Sequence, residues 1–192
     1  MNIVLVTTWP PDQCGIATYS QQLADALETR GHKVTILAEA TTTPTPNGST
    51  SVYRLWRRGA PYGAPDGLGR VVAAVKNAVK KPDAVHFQHE FGVFPVDEDF
   101  HRACAELAEV TRVAVTWHTV LHPPRRHEFC RAVRETACTI AHSQIGKVAA
   151  DAWVCIPHGC PTRPETRHWS SNSHLLVPGF VGAGKGTLEI LE

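Results

Sequence analysis

Gly179, Gly184 and Lys185, close to the end of the chain, stand at the spacing of a phosphate-binding loop. In such a loop backbone N–H groups cradle phosphates, the lysine reaches them and the next residue's hydroxyl holds magnesium. Here the next residue is Gly186, and Thr187 comes one place late, so the magnesium ligand is missing. The seven residues after Lys185 leave no room for the carboxylate strand that such a site uses downstream. The stretch 175–192, "LLVPGFVGAGKGTLEILE", therefore reads as an apolar strand, a glycine turn and a helix start. Lys185 is placed to meet a phosphate that the helix dipole already favours. A solvated lysine at a turn is the plainer alternative.

Further polar residues sit where apolar runs end. His89 and Glu90 follow "AVHFQ", His118 and Thr119 follow "RVAVTW", and His158 follows "AWVCIP". A histidine at a strand end can donate to a ligand hydroxyl or phosphate, or exchange a proton near neutral pH. His86, inside its run, is expected to be a core histidine satisfied by a backbone carbonyl. Gly15 follows a Pro-Pro turn at the mouth of a long helix, where orphan N–H groups and the positive dipole end favour an anion. On spacing alone a plain strand-to-helix turn is the favoured account of Gly15, because single glycines at such turns are common.

Eleven histidines invite a metal site, with His86 and His89, or Cys155, His158 and Cys160, as the local groupings. Side chains alternate along a strand, so His86 and His89 point to opposite faces. Neither a Cys-x-x-Cys pair nor a helical His-Glu-x-x-His occurs, and no metal is expected from this spacing.

The elements that must position these groups alternate. β-branched runs at 2–8, 33–39, 51–56, 83–88, 112–118, 138–143 and 152–157 predict strands, continuous enough for a parallel sheet buried on both faces. Helices are predicted over 16–31, 68–81, 96–110 and 125–137. In the first, Ile16, Tyr19, Leu23, Ala26 and Leu27 recur at helical spacing, and Gly31 supplies the stop. The alternation implies an α/β, Rossmann-like doubly wound parallel sheet, with ligands in the crevice beyond the strands' carboxyl ends. Residues 1–160 form that domain, the Pro- and Ser-rich 161–174 a linker, and 175–192 the first strand and helix of a second, nucleotide-binding domain.

Composition excludes several classes. With 43% apolar and 19% charged residues the 192-residue chain has the makeup of a globular protein with one buried core. Nineteen basic residues against 18 acidic give no argument for nucleic acid. No basic leader precedes the first strand and no run approaches a membrane-spanning length, which predicts a cytoplasmic protein with reduced cysteines. Arg54, Arg57, Arg58, Arg70, Lys76, Lys80 and Lys81 form a basic cluster that is a candidate for peripheral contact with anionic lipid at the inner membrane face. A solvated helix face is the alternative.

In order, "PPDQCGIATYSQQLADAL", "QHEFGVF", "TWHTVLHPP", "AHS", "IPHGCP" and "GFVGAGKGTLEIL" resemble the retaining glycosyltransferases of family 4, of GT-B fold, in the branch with a Gln-His-Glu-aromatic-Gly stretch. The resemblance runs nearly end to end. It implies that the chain is one half of a GT-B architecture. Such enzymes transfer a hexose from a nucleotide-diphosphate sugar to an acceptor hydroxyl with retention, with no cofactor and generally no metal.

By resemblance, Gly15 lines the cleft near the donor diphosphate, His118 contacts the transferred sugar region as the catalytic histidine, and Lys185 binds the donor diphosphate. His89, Glu90, Thr119 and His158 are the acceptor-side or cleft residues expected from their strand-end positions. Gly179 and Phe180 stand where many members place a second phosphate-binding arginine, and the downstream glutamate pair is absent. The chain alone is therefore expected to be inactive. It reads as a fragment of a longer enzyme, a natural half that pairs with a separately encoded C-terminal half or another copy, or a remnant. Expected partners are the nucleotide sugar and a glycan, lipid-linked or small-molecule acceptor. A non-catalytic binding domain for a phosphorylated metabolite or a partner protein is the reading from a different class.

Overall fold

The computed structural model describes residues 1–41, 50–119 and 125–159, of which 125–127 by backbone only. The expected linker and the strand-and-helix start at 175–192 lie outside the described residues, and so do Cys160 and Lys185. Met1–His158 forms one unit.

Seven strands appear where the β-branched runs predict them: β1 (Asn2–Thr7), β2 (Lys33–Glu39), β3 (Ser51–Trp56), β4 (Ala84–His89), β5 (Arg112–Trp117), β6 (Cys138–Ala141) and β7 (Val154–Cys155). All pair in parallel, in the order β3-β2-β1-β4-β5-β6-β7. This is an α/β, Rossmann-like doubly wound sheet whose strand order reverses between β1 and β4, where such sheets open a crevice at their carboxyl ends.

The helices are α1 (Gly15–Thr29), α2 (Leu68–Lys76), α3 (Asp97–Ala108), α4 (Arg125–Thr136) and α5 (Gln144–Ala149). Two apolar clusters divide between the faces of the sheet. Leu5, Val34, Ile36 and Ala38 pack with Ala24, Leu23 and Leu27 of α1. Val6, Phe87, Val115 and Trp117 pack with residues of α2, α3 and α4, among them Val71, Phe100 and Val133. Neighbours Leu5 and Val6 thus serve opposite layers, as strand alternation requires.

Three departures from the sequence expectation have local causes. The buried residues of α1 are Ala17, Ser20 and Ala24, while Ala26 is exposed and Tyr19 only partly buried. Small side chains let α1 approach the sheet closely, and the Ser20 hydroxyl meets that of Thr7 at 2.6 Å. Helix α2 ends at Lys76, not 81, because its apolar period stops there: Val72 and Val75 are buried but Val79 is fully exposed. The six-residue α5 carries Gly146 in its middle and shows no sequence period; its start is fixed by Ser143, whose Oγ accepts from the Gly146 N–H at 2.9 Å. The stop at Gly31 is as expected. It takes a left-handed φ of 81°, and the Gly31 and His32 N–H groups close on the carbonyls of Glu28 and Leu27.

Candidate functional site at the carboxyl ends of β1, β4, β5 and β6

Strand register decides which polar residues meet. Gln88 pairs with Thr116, His89 with Trp117, and Trp117 with Ala141. Continuing that register by one residue sets His118 beside His142. On one face of β4 and β5 lie Phe87, His89, Val115 and Trp117, packed into the core of α2, α3 and α4. On the other lie His86, Gln88, Thr116 and His118, with Tyr19 of α1 against His118.

A hydrogen-bonded file runs along this second face. A carboxamide oxygen only accepts, so His118 Nε2–H donates to Gln88 Oε1 at 2.9 Å. The Gln88 amide lies 3.3 Å from His86 Nε2, which also meets the Thr116 hydroxyl at 2.8 Å. His142 donates Nδ1–H to the Ile156 carbonyl at 2.9 Å, since that carbonyl too can only accept. Tyr19 of α1 stands edge-on to His118, His142 and His158 at centroid distances of 4.8, 5.4 and 5.5 Å, and His142 stacks on His158 at 3.6 Å.

Burial, and secondarily the neighbouring imidazoles His142, His158 and His86, push His118 down to about 3. Burial, then His142, lowers His86 to about 4, and the same two causes lower His158. Tyr19 is raised by burial. These groups are uncharged at neutral pH. His118 is therefore poorly matched to proton exchange at neutral pH and better suited to orienting a hydroxyl, for which its tautomer offers Nδ1 as an acceptor.

The positions of the expected site residues are specific. Gly15 is exposed at the first turn of α1, and a Cβ built on it meets nothing within 4 Å. The residue before it, Cys14, caps the helix with no side-chain hydrogen bond, and the first turn has no acidic residue. His118 and Thr119 are partly buried and His158 is exposed. His89, expected at the cleft, has no exposed surface and lies within a ring of Phe100, Trp117, Phe91, Phe94 and Phe129 at 4.5–5.8 Å. His86, expected in the core, is the residue that joins the polar file. Glu90 serves its own turn, with Oε2 accepting from the Gly92 N–H at 2.6 Å. Sequence reasoning did not select Tyr19, Gln88, Thr116 or His142. His142 stands in the "AHS" stretch that helps carry the family resemblance, but its place beside His118 comes from the register of β5 and β6, which the linear chain does not display.

The turn that delivers the chain to Gly15 is held from β3. Arg54 donates to the carbonyls of Glu39 (2.7 Å), Trp9 (3.3 Å) and Pro10 (2.9 Å), and lies 3.7 Å from the Asp12 carboxylate. Arg54→Met removes the charged donor and strands these acceptors, at an expected cost of about 2 kcal/mol in unfolding free energy. An unchanged urea midpoint would show that the turn is held by other means. Three more members of the basic cluster are paired with carboxylates: Arg57 with Asp66, Arg58 with Glu39 at 2.8 Å, and Lys76 with Glu109 at 2.9 Å. Among the described residues no helix is long and apolar enough to cross a membrane. An open groove of about 590 Å³, lined in part by Asn2, Lys33, Tyr53 and Lys80, lies toward the amino ends of β1 and β2, away from these histidines.

The family model described as Glycosyltransferase Family 4 matches residues 14–159. No curated protein matches the chain. Among solved structures the chain is similar to an alpha-glucosyltransferase in complex with UDP and a 13-mer DNA containing a central A:G mismatch. That match has 16% identity and a TM-score of 0.49, and covers 80% of this chain and 40% of the other. The chain is also similar to a protein from Streptococcus pneumoniae TIGR4 described as an NADH-flavin reductase, at 10% identity and a TM-score of 0.37, covering 73% and 70%. Likenesses of that size carry no functional argument. The chain spans 40% of the length of the glucosyltransferase it matches.

Proposed function

This chain belongs to glycosyltransferase family 4, and on that premise we propose that it is the acceptor-side half of a GT-B enzyme. The enzyme transfers a hexose from a nucleotide-diphosphate sugar to an acceptor hydroxyl with retention. The observation that carries this reading is the bond from His118 Nε2 to Gln88 Oε1. It fixes the ring at the carboxyl end of β5 and leaves Nδ1, the nitrogen without the proton, as its acceptor.

In this reading His118 accepts a hydrogen bond from a hydroxyl at the reacting centre, and Thr119 and His158 border the acceptor. The uncapped N–H groups at Gly15 meet the donor diphosphate as it gains charge, which is electrostatic stabilisation of a leaving group. Lys185 adds a cation to the same diphosphate. The remaining donor contacts belong to a second domain, encoded with this one or separately. The acceptor is a glycan, a lipid-linked sugar or a small molecule.

The test is a transfer assay with a panel of nucleotide-diphosphate hexoses on a preparation that contains a donor-binding domain, comparing wild type with His118→Ala. Acceptor-dependent release of the nucleotide is expected, with the variant losing about a hundredfold in kcat and little in donor KM. Turnover at the wild-type rate in His118→Ala would overturn the assignment of His118. Binding of phosphorylated metabolites without any sugar transfer would replace the reading with a binding domain.

A further inference from the structure

Three imidazoles from three strand ends converge: His118, His142 and His158 each bring a ring nitrogen to within 4.8 Å of the others. We propose that this cluster is a binding site for one borderline divalent cation of the zinc, cobalt, nickel and copper class. The site shares one atom with the transferase reading, because the His118 Nδ1 lone pair can hold a cation or accept from a hydroxyl but not both at once.

The hydrogen bonds decide which nitrogens are free to ligate. His118 has Nε2 committed to Gln88, and His142 has Nδ1 committed to the Ile156 carbonyl, so their lone pairs lie on Nδ1 and Nε2 respectively. The Nε2 of His142 is buried and has no hydrogen-bond partner, a cost that a ligand would relieve. An imidazole whose other nitrogen donates to a carboxamide or backbone oxygen is the arrangement found around metal-bound histidine, where the outer partner fixes the tautomer and raises basicity.

Ligand type sets the class. The cluster offers nitrogen only and no carboxylate, which suits zinc and its neighbours and not magnesium or calcium. Metal–nitrogen bonds of about 2.0–2.1 Å require the three nitrogens to draw closer than they stand. His158 is exposed and can supply that movement by leaving its stack on His142. Three protein ligands leave a four-coordinate cation one position for water or an anion. Linear spacing gives no sign of this site, because its members are separated by 24 and 16 residues and meet only through sheet register.

The experiment is calorimetric titration of the folded chain with Zn²⁺ at neutral pH. Co²⁺ absorption serves as a second readout, in wild type, His142→Ala, His158→Ala and the control His101→Ala. One equivalent of Zn²⁺ is expected to bind, with affinity reduced at least about tenfold in His142→Ala and in His158→Ala and unchanged in His101→Ala. His158 is exposed, so its variant keeps the fold, which near-UV circular dichroism checks. Mg²⁺ should give no saturable heat. Absence of saturable Zn²⁺ binding to the wild type, or equal affinity in His158→Ala, would overturn the proposal. Neither readout depends on sugar transfer, so failure here leaves the transferase reading untouched, and the reverse also holds.

Discussion

If this chain is the acceptor-side half proposed above, Gly15→Leu is expected to lower sugar transfer by about a hundredfold or more while leaving unfolding free energy within about 1 kcal/mol of wild type. Both halves of that expectation come from the first turn of α1. A Cβ at position 15 meets no atom within 4 Å, so the folded chain accepts a larger residue without strain, and leucine is the better helix former. The same open space lies over N–H groups that no side chain caps and no carboxylate neutralises. On the proposed reading, a leucine there fills the volume that the donor diphosphate would enter to reach those N–H groups. Loss of one preorganised donor to developing negative charge costs about 10²–10³ in rate, or roughly 3–4 kcal/mol of transition-state stabilisation. Gly15→Ala, with one carbon in place of four, is expected to lose much less. The pair is read by initial rates beside urea denaturation of each variant. Wild-type rates in Gly15→Leu would remove the α1 N-terminus from the donor site, and a collapsed urea midpoint would show that the glycine serves the fold.

The sheet was legible because a parallel strand buried on both faces needs a continuous run of β-branched residues, and each such run became a strand within a residue or two at its start. The site was less so. Whether a polar residue at a strand end belongs to the crevice or the core depends on parity, and parity is settled by what folds over the far side. Phe91, Phe94, Phe100 and Phe129 close over one face of β4 and enclose His89, which left His86, three residues earlier, on the other face. The distinction between these two histidines is a tertiary one.

The same holds for α1. Its apolar stripe marks the helix but not its rotation, which the Thr7–Ser20 contact and the small residues Ala17 and Ala24 determine. That rotation takes Tyr19 out of the core and sets it against three histidines. Gln88 opens the Gln-His-Glu-Phe-Gly stretch that marks the family branch, but nothing in that stretch shows that it lies between His86 and His118 and fixes the catalytic candidate's tautomer.

That file of side chains makes stability depend on acidity, and the direction follows from His86. Its imidazole titrates near the ordinary 6.5 in the unfolded chain but is held to about 4 in the folded protein, by burial first and the nearby His142 second. Between those two values the unfolded chain binds a proton that the folded chain refuses, so acid favours unfolding. Stability from this group is complete above pH 6.5 and is lost as the pH falls toward 4, by up to about 3 kcal/mol. His118, also held low by burial, steepens the decline over the same window. Urea denaturation at several pH values across the interval is expected to show the midpoint falling continuously. In His86→Asn, which keeps a polar group opposite Thr116 and Gln88 but cannot take up the proton, the curve should be flatter by the share that His86 contributes. Parallel curves for the two proteins would mean that His86 keeps an ordinary proton affinity when folded.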